Sequence, residues 1–205
     1  MNNEKNNNTL PGSEGEHKMQ EVFKTEEKAK DFYNKQMRDY LAPDMQLFIE
    51  KQEMMFVATS DAHGECDSSF RSGEAGFVTV IDEKRVIYAD YKGNGVLASV
   101  GNILENPHIG LLFIDFFENK VGLHVNGKAK MINEEDVNSL LNNSTYNKGK
   151  TIHTSANQKN VFWVLVDVEE AYIHCSKNIP ILQKTDQLIQ KGKTRPIDFF
   201  NLQGI

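Results

Sequence analysis

The chain has 205 residues, of which 39% are hydrophobic, with a mean hydropathy of −0.52 and a net charge of −6 at neutral pH. That length suits one sizeable domain with extensions. The acidic balance excludes general nucleic-acid affinity, which comes from neutralising phosphates, and no apolar run approaches the roughly 18 residues of a membrane span.

The chain opens on "MNNEKNNNTLPGSEGE", which has almost no apolar content. Residues 1–14 are expected to form a disordered tail, because such a segment cannot offset its own ordering entropy. It lacks the apolar stretch of a secretory signal. Cys66 and Cys175 are too few for a disulfide scaffold and read as reduced thiols in a cytoplasmic protein. The six histidines have no ligand-like spacing, so no metal site is expected.

Residues 15–52 read as helical. Thr25 is a candidate N-cap, with Glu26 and Glu27 in the first turn where negative charge suits the helix dipole. Pro43 interrupts, and "APDMQLFIEKQ" restarts a short helix. From residue 54 the texture changes. "MMFVATSD" and "CDSSFRS" read as strands joined by a turn over Asp61–Gly64, and "GFVTVID" and "RVIYAD" as a hairpin turning near Glu83 and Lys84.

After the corner "DYKGNG", Val96, Leu97, Val100, Ile103 and Leu104 recur at helical steps, and Asn106-Pro107 ends that helix. "HIGLLFID" reads as a buried strand. "VGLHVNGKAKM" alternates, with Val121, Leu123, Val125, Ala129 and Met131 on one face and His124, Asn126, Lys128 and Lys130 on the other. Residues 133–145 read as helix, 146–160 as a polar loop, and "VFWVLVDVEEAYIHC" as the longest strand. Trp163 in that strand is assigned to the core or to a dimer interface. His174 is assigned a structural or exposed place, while His124 is left either solvated or at the border of a groove.

About seven strands, mostly in hairpin order, predict a mainly β fold with added helices. The architecture is an antiparallel barrel, closed or nearly closed. It forms a single domain over 15–205, with N-terminal helices and a polar C-terminal extension. A doubly wound sheet would need helices between all of its strands, and they are absent from the pattern.

The corner at Lys92–Gly95 admits two readings. Gly93 and Gly95 remove bulk where a ligand would meet the backbone, Lys92 supplies charge, and Asn94 an amide donor, which together suit a phosphate. The other reading is a strand-to-helix turn that uses Gly and Asn for their tolerance of positive φ. Gly93, Gly95 and Ala98 also fit the loose GxGxx[GA] dinucleotide pattern, but hairpin-ordered strands do not suit the sheet that it requires. Alone, Arg71 at a strand end reads as a surface or ion-pair residue, and Cys175 as a small buried hydrophobe.

The window "SFRSGEAGFVTVIDEKRVIYADYKGNGVLASVGNILENPHIGLLFID", with "GLHVNGKAKM" and "YIHCSKNIP" after it, resembles the pyridoxamine 5′-phosphate oxidase-like flavoproteins. The likeness spans roughly residues 15–182 and is greatest to the branch with a Gly-Asn corner. It implies an FMN-binding split β-barrel that dimerises, with FMN in two grooves between subunits and a small organic molecule as substrate. The phosphate would meet Lys92, Gly93, Asn94 and Gly95. Arg71 and Ser72 would lie beside the phosphate or the flavin edge, and Tyr88, Ala89, Asp90 and Tyr91 along the ring. Cys175 and Lys177 would reach the flavin from the partner subunit.

The chain departs from the true oxidases where they carry Ser-Arg-Lys at the corner and a C-terminal Arg-Leu-x-Pro segment; it ends "RPIDFFNLQGI". The resemblance therefore implies an FMN-dependent oxidoreductase on another substrate, and no catalytic residue is assigned. The alternatives are a flavin sensor or carrier without turnover, or the same barrel holding heme or a deazaflavin.

Overall fold

The computed structural model describes residues 10–93, 95–144 and 161–185. Three helices come first: α1 (Glu14–Phe23), α2 (Glu26–Lys35) and α3 (Pro43–Lys51). Of the tail expected over 1–14, residues 1–9 lie outside the described residues, and Ser13 already belongs to the cap of α1. Its hydroxyl accepts from the Glu16 N–H while the Glu16 carboxylate accepts from the Ser13 N–H, a reciprocal cap. Thr25 precedes α2, but its side chain makes no capping bond. Its N–H instead closes the end of α1 on the Gln20 carbonyl, after Lys24 has turned left-handed.

Seven strands follow: β1 (Met54–Ser60), β2 (Cys66–Ser72), β3 (Val78–Asp82), β4 (Arg85–Tyr91), β5 (His108–Ile114), β6 (Gly122–Ile132) and β7 (Val161–His174). Between them lie α4 (Ala98–Glu105), after β4, and α5 (Glu134–Asn143), after β6. All pairs are antiparallel, in the order β2-β1-β5-β6-β7-β4-β3. β2 and β3 end the ladder without pairing to each other, so the barrel is split rather than closed.

The burial patterns explain the texture of each strand. β1 alternates, its buried Met55, Val57 and Thr59 pointing inward. β3 is buried on both faces because one lines the barrel interior and the other packs under α5. There Ile81, Ile87, Trp163 and Leu165 meet Val137 and Leu141 of α5. Trp163 is thus a core residue. β6 keeps the expected alternation, and near Gly127 the ladder to β7 slips by one residue, leaving Glu169 without a partner position on β6. Only glycine fits at that point, since a Cβ on Gly127 would stand 2.1 Å from the Asp167 carbonyl oxygen.

The helix after the corner differs from its expected form. Leu97 sits left-handed at φ 59°, so α4 starts only at Ala98. Val100 and Ile103 enter the core, while Val96 and Leu104 are both 72% exposed. The apolar stripe is two residues narrower than its spacing predicts: Val96 lies before the helix, and Leu104 faces outward. The polar loop expected over 146–160 and the extension beyond Thr185 lie outside the described residues.

Candidate functional site

β2 is an edge strand whose inward face is entirely polar. Asp67, Ser69 and Arg71 lie opposite the buried Thr59, Val57 and Met55 of β1. Across the slit, β4 runs past the end of β3 and turns Asp90 toward them. α4 packs over β1 and β2 and brings Ser99 into the same place. These pieces line an open cleft of about 490 Å³, within the usual range of ligand pockets. Its walls are Asp67, Ser69, Arg71, Asp90, Tyr91, Lys92, Gly93 and Val96–Val100.

Arg71 and Asp90 form its centre. Nε donates to Oδ1 and Nη2 to Oδ2, each at 2.9 Å. Asp90 is buried and also accepts from the Tyr91 N–H at 2.8 Å. Arg71 keeps a quarter of its side chain exposed and donates further to the Phe70 carbonyl and the Ser99 hydroxyl. Ser99 Oγ lies 3.1 Å from Ser69 Oγ and 3.3 Å from Asp67 Oδ2, and Ser69 donates to the same Asp67 oxygen at 2.8 Å. One polar network thus joins β2, β4 and α4 across the open side of the barrel.

The corner is a tight turn. Gly95 N–H donates to the Lys92 carbonyl at 2.8 Å, with Gly93 at φ 47° and Gly95 at φ 86°. The glycines are required by conformation rather than by crowding: nothing lies within 4 Å of a Cβ built on Gly95. Val96 and Leu97 separate this turn from α4, so the helix N-terminus does not rest on the glycines. Lys92 and Gly93 nevertheless line the cavity, and Lys92 makes no ion pair among the described residues. Asn94 lies outside the described residues.

Among the expected residues, the cavity gathers Arg71, Asp90, Tyr91, Lys92 and Gly93. Ser72 points to the opposite face of β2 and is exposed. Tyr88 is in the core; its hydroxyl has no hydrogen-bond partner among the described residues. Burial pushes its ionisation far above the ordinary tyrosine range, with the Asp90 charge adding to this and Arg71 opposing it. Ala89 packs on the other face, toward the Trp163 cluster. Gly95 is in the turn but not in the cavity wall.

Cys175 and Lys177 are exposed beyond the far end of β7. Cys175 is therefore not the buried hydrophobe that its composition alone suggests. Tyr91 pairs with Val161 at the start of β7, and at about 3.3 Å per residue roughly 43 Å of strand separates that point from His174. Neither residue lines the cavity of its own chain. His124 is half-buried, stacked on Tyr172 and within 2.9 Å of His174, away from the cavity. Burial lowers its pKa below the usual 6.5, and His174 adds to this.

Asp67, Ser69 and Ser99 were not among the residues expected here. The signal for the first two is present in "CDSSFRS": Asp67, Ser69 and Arg71 alternate on one face of a strand, with nothing apolar among them. Ser99 carries no such signal, since its place depends on how α4 packs.

A split antiparallel barrel with a polar cavity at its slit is the class that the fold and site define. The chain belongs to the pyridoxamine 5′-phosphate oxidase family, whose model matches residues 41–175. Among solved structures, the chain is similar to HupZ of Group A Streptococcus, at 20% identity over 64% of this chain and 92% of that one, with a TM-score of 0.45. It is similar to a putative pyridoxamine 5′-phosphate oxidase of Lactobacillus delbrueckii, at 20% over 66% and 95%, TM-score 0.44. HutZ, the heme storage protein of Vibrio cholerae, matches at 17% over 65% and 94%, TM-score 0.45. No curated protein matches the chain. Among the described residues, no helix is long and apolar enough to cross a membrane.

Proposed function

We propose that this protein binds FMN in the cavity between β2, β4 and α4 and acts as an FMN-dependent oxidoreductase on a small organic molecule. The observation that carries this reading is the meeting of Lys92, without an ion pair among the described residues, and a side-chain-free turn at a cavity of about 490 Å³. The residues fit the group. Lys92 and the open backbone at Gly93 suit a phosphate, Tyr91, Val96 and Leu97 offer apolar wall, and Arg71 is fixed in place by Asp90. When bound, flavin supplies a hydride acceptor and donor at N5, and the protein's part is to hold and orient it.

The same reading makes the protein a homodimer. Cys175 and Lys177 follow β7 and do not line the cavity of their own chain, so a second copy would bring them to it. Sedimentation at micromolar concentration with flavin bound is expected to give a dimer, and a flavin-loaded monomer would remove this part of the proposal.

Absorbance and mass of the cofactor released from purified protein test the reading. Flavin bands and the mass of FMN are expected. A Soret band or a deazaflavin mass would assign the barrel to another ligand. Reduction by NAD(P)H followed by rapid reoxidation is expected of an enzyme, and its absence would mark a carrier.

A further inference from the structure

His124 of β6 and His174, the last residue of β7, are 50 residues apart in sequence, so no spacing along the chain announces them as a pair. The ladder brings them together. His124 stands opposite Tyr172, and His174 opposite Gly122, which sets the two imidazoles diagonally on one face of adjacent strands. Gly122 leaves His174 its place, since a Cβ on that glycine would stand 2.8 Å from the His174 Cβ. The His124 ring stacks on Tyr172 at 4.7 Å, and Phe32 of α2 packs T-shaped against the same tyrosine at 5.7 Å. Both histidines are half-buried, so one side of the pair stays open to water.

His124 Nε2 and His174 Nδ1 are 2.9 Å apart. A single proton fits between them, and a neutral imidazole carries its lone pair on the nitrogen without the proton. With the shared proton moved to the other nitrogen of its ring, both lone pairs open onto the same space. Two cis ligands of a metal ion are arranged in this way. Imidazole nitrogens bind at about 2.0–2.1 Å, so two ligands at a right angle stand about 2.9 Å apart, and two tetrahedral ones about 3.4 Å. The observed separation matches the right angle, which the rings reach by tilting rather than by moving apart. Square-planar and tetragonal nitrogen sites suit Cu2+ or Ni2+. The charges acting on Tyr172 beside the pair are the carboxylates of Glu170 and Glu16, and both favour a cation. No group of three or more His, Cys, Asp or Glu among the described residues could hold an ion, so water completes the coordination.

We infer that His124 and His174 form a binding site for a tetragonal divalent ion, Cu2+ or Ni2+. Tyr172 positions the His124 ring, and Gly122 gives His174 room to lie across β6. The inference is independent of the flavin reading, because neither histidine lines the cavity between β2, β4 and α4.

The test is Cu2+ titrated into full-length protein carrying Cys66→Ser and Cys175→Ser, which removes the two exposed thiols that would reduce the ion. Electron paramagnetic resonance counts the nitrogens bound, and competition with a chelator of known affinity gives the Kd. One ion per chain with two imidazole nitrogens is expected. His124→Asn and His174→Asn should each weaken binding by at least about a hundredfold, the upper end of what an outer partner of a metal ligand is worth. His63→Asn, on an exposed turn, should change nothing. Melting curves without the ion establish that each variant folds. Should His124→Asn fail to fold, His174→Asn at the strand end decides alone. Affinity unchanged in a folded variant of either histidine would overturn the inference, since the ion would then sit elsewhere. A signal from a single nitrogen, or a wild type that binds no Cu2+, would overturn it as well and leave the pair as a hydrogen bond only.

Discussion

Arg71 and Asp90 meet as a two-point ion pair across the slit of the barrel, with both N–O distances at 2.9 Å. Their strands do not pair through the backbone: β2 ends one side of the ladder, and β4 is next to last on the other. The side chains bridge a gap that the sheet leaves open. Most of the Arg71 donors are engaged by Asp90, Phe70 and Ser99. Its first role is to fix the cavity.

The two halves of this pair should not be equal in mutation. Arg71→Ala leaves a buried carboxylate without its partner and should cost about 2–4 kcal/mol, somewhat below a fully buried pair because Arg71 is partly solvated. Asp90→Asn should cost less, since the guanidinium left behind can turn to water. The double change Arg71→Met/Asp90→Leu should recover part of the loss. Urea unfolding measures all three. Equal losses in the two single variants would contradict the burial argument.

Two glycines should separate crowding from backbone strain. Gly127→Ala drives a Cβ into the Asp167 carbonyl, and the neighbour is backbone in a paired strand, so soluble folded protein should be largely lost. Gly95→Ala meets open space and suffers only its positive φ, a cost of about 1–2 kcal/mol. Expression and thermal melting of both variants distinguish them. A well-folded Gly127→Ala protein would mean that the two strands do not approach so closely at the bulge.

His124 should make stability fall in mild acid. Its folded pKa lies below the ordinary 6.5 because burial and His174 disfavour the charged form. Above about pH 6.5 neither state binds the proton and the group contributes nothing; as pH falls below that value, the unfolded chain takes up the proton first. Stability is then lost until the folded pKa is passed. His124→Asn should reduce this loss, seen as a smaller change in unfolding free energy between about pH 7.5 and about pH 5. An identical pH profile in the variant would remove His124 as a cause.

Much of this fold is legible in the sequence because its strands bury one face. The alternation of Leu123, Val125 and Ala129 against His124, Lys128 and Lys130 gives β6 and its orientation directly. The two-sided apolar runs of β3 and the start of β7 mark strands covered on both faces. The place where α4 begins is not legible, since it depends on Leu97 taking a left-handed conformation that a leucine does not favour. The site is half legible. Lys92 and Gly93 stand out by composition, and Arg71 by its motif. Its pairing with Asp90 joins residues 19 apart in sequence on unpaired strands, and no local pattern encodes such a contact. Ser99 enters only through the packing of α4.

The corner cavity as a phosphate-anchored flavin site is tested most directly by one comparison: FMN and riboflavin titrated into wild type and Lys92→Ala. Removing a charged partner of the phosphate should weaken FMN by roughly tenfold to a hundredfold, at about 1.4 kcal/mol per decade. Riboflavin should bind wild type poorly and lose little more in the variant. Equal weakening of both flavins by Lys92→Ala would contradict the account and leave Lys92–Gly95 as a turn alone.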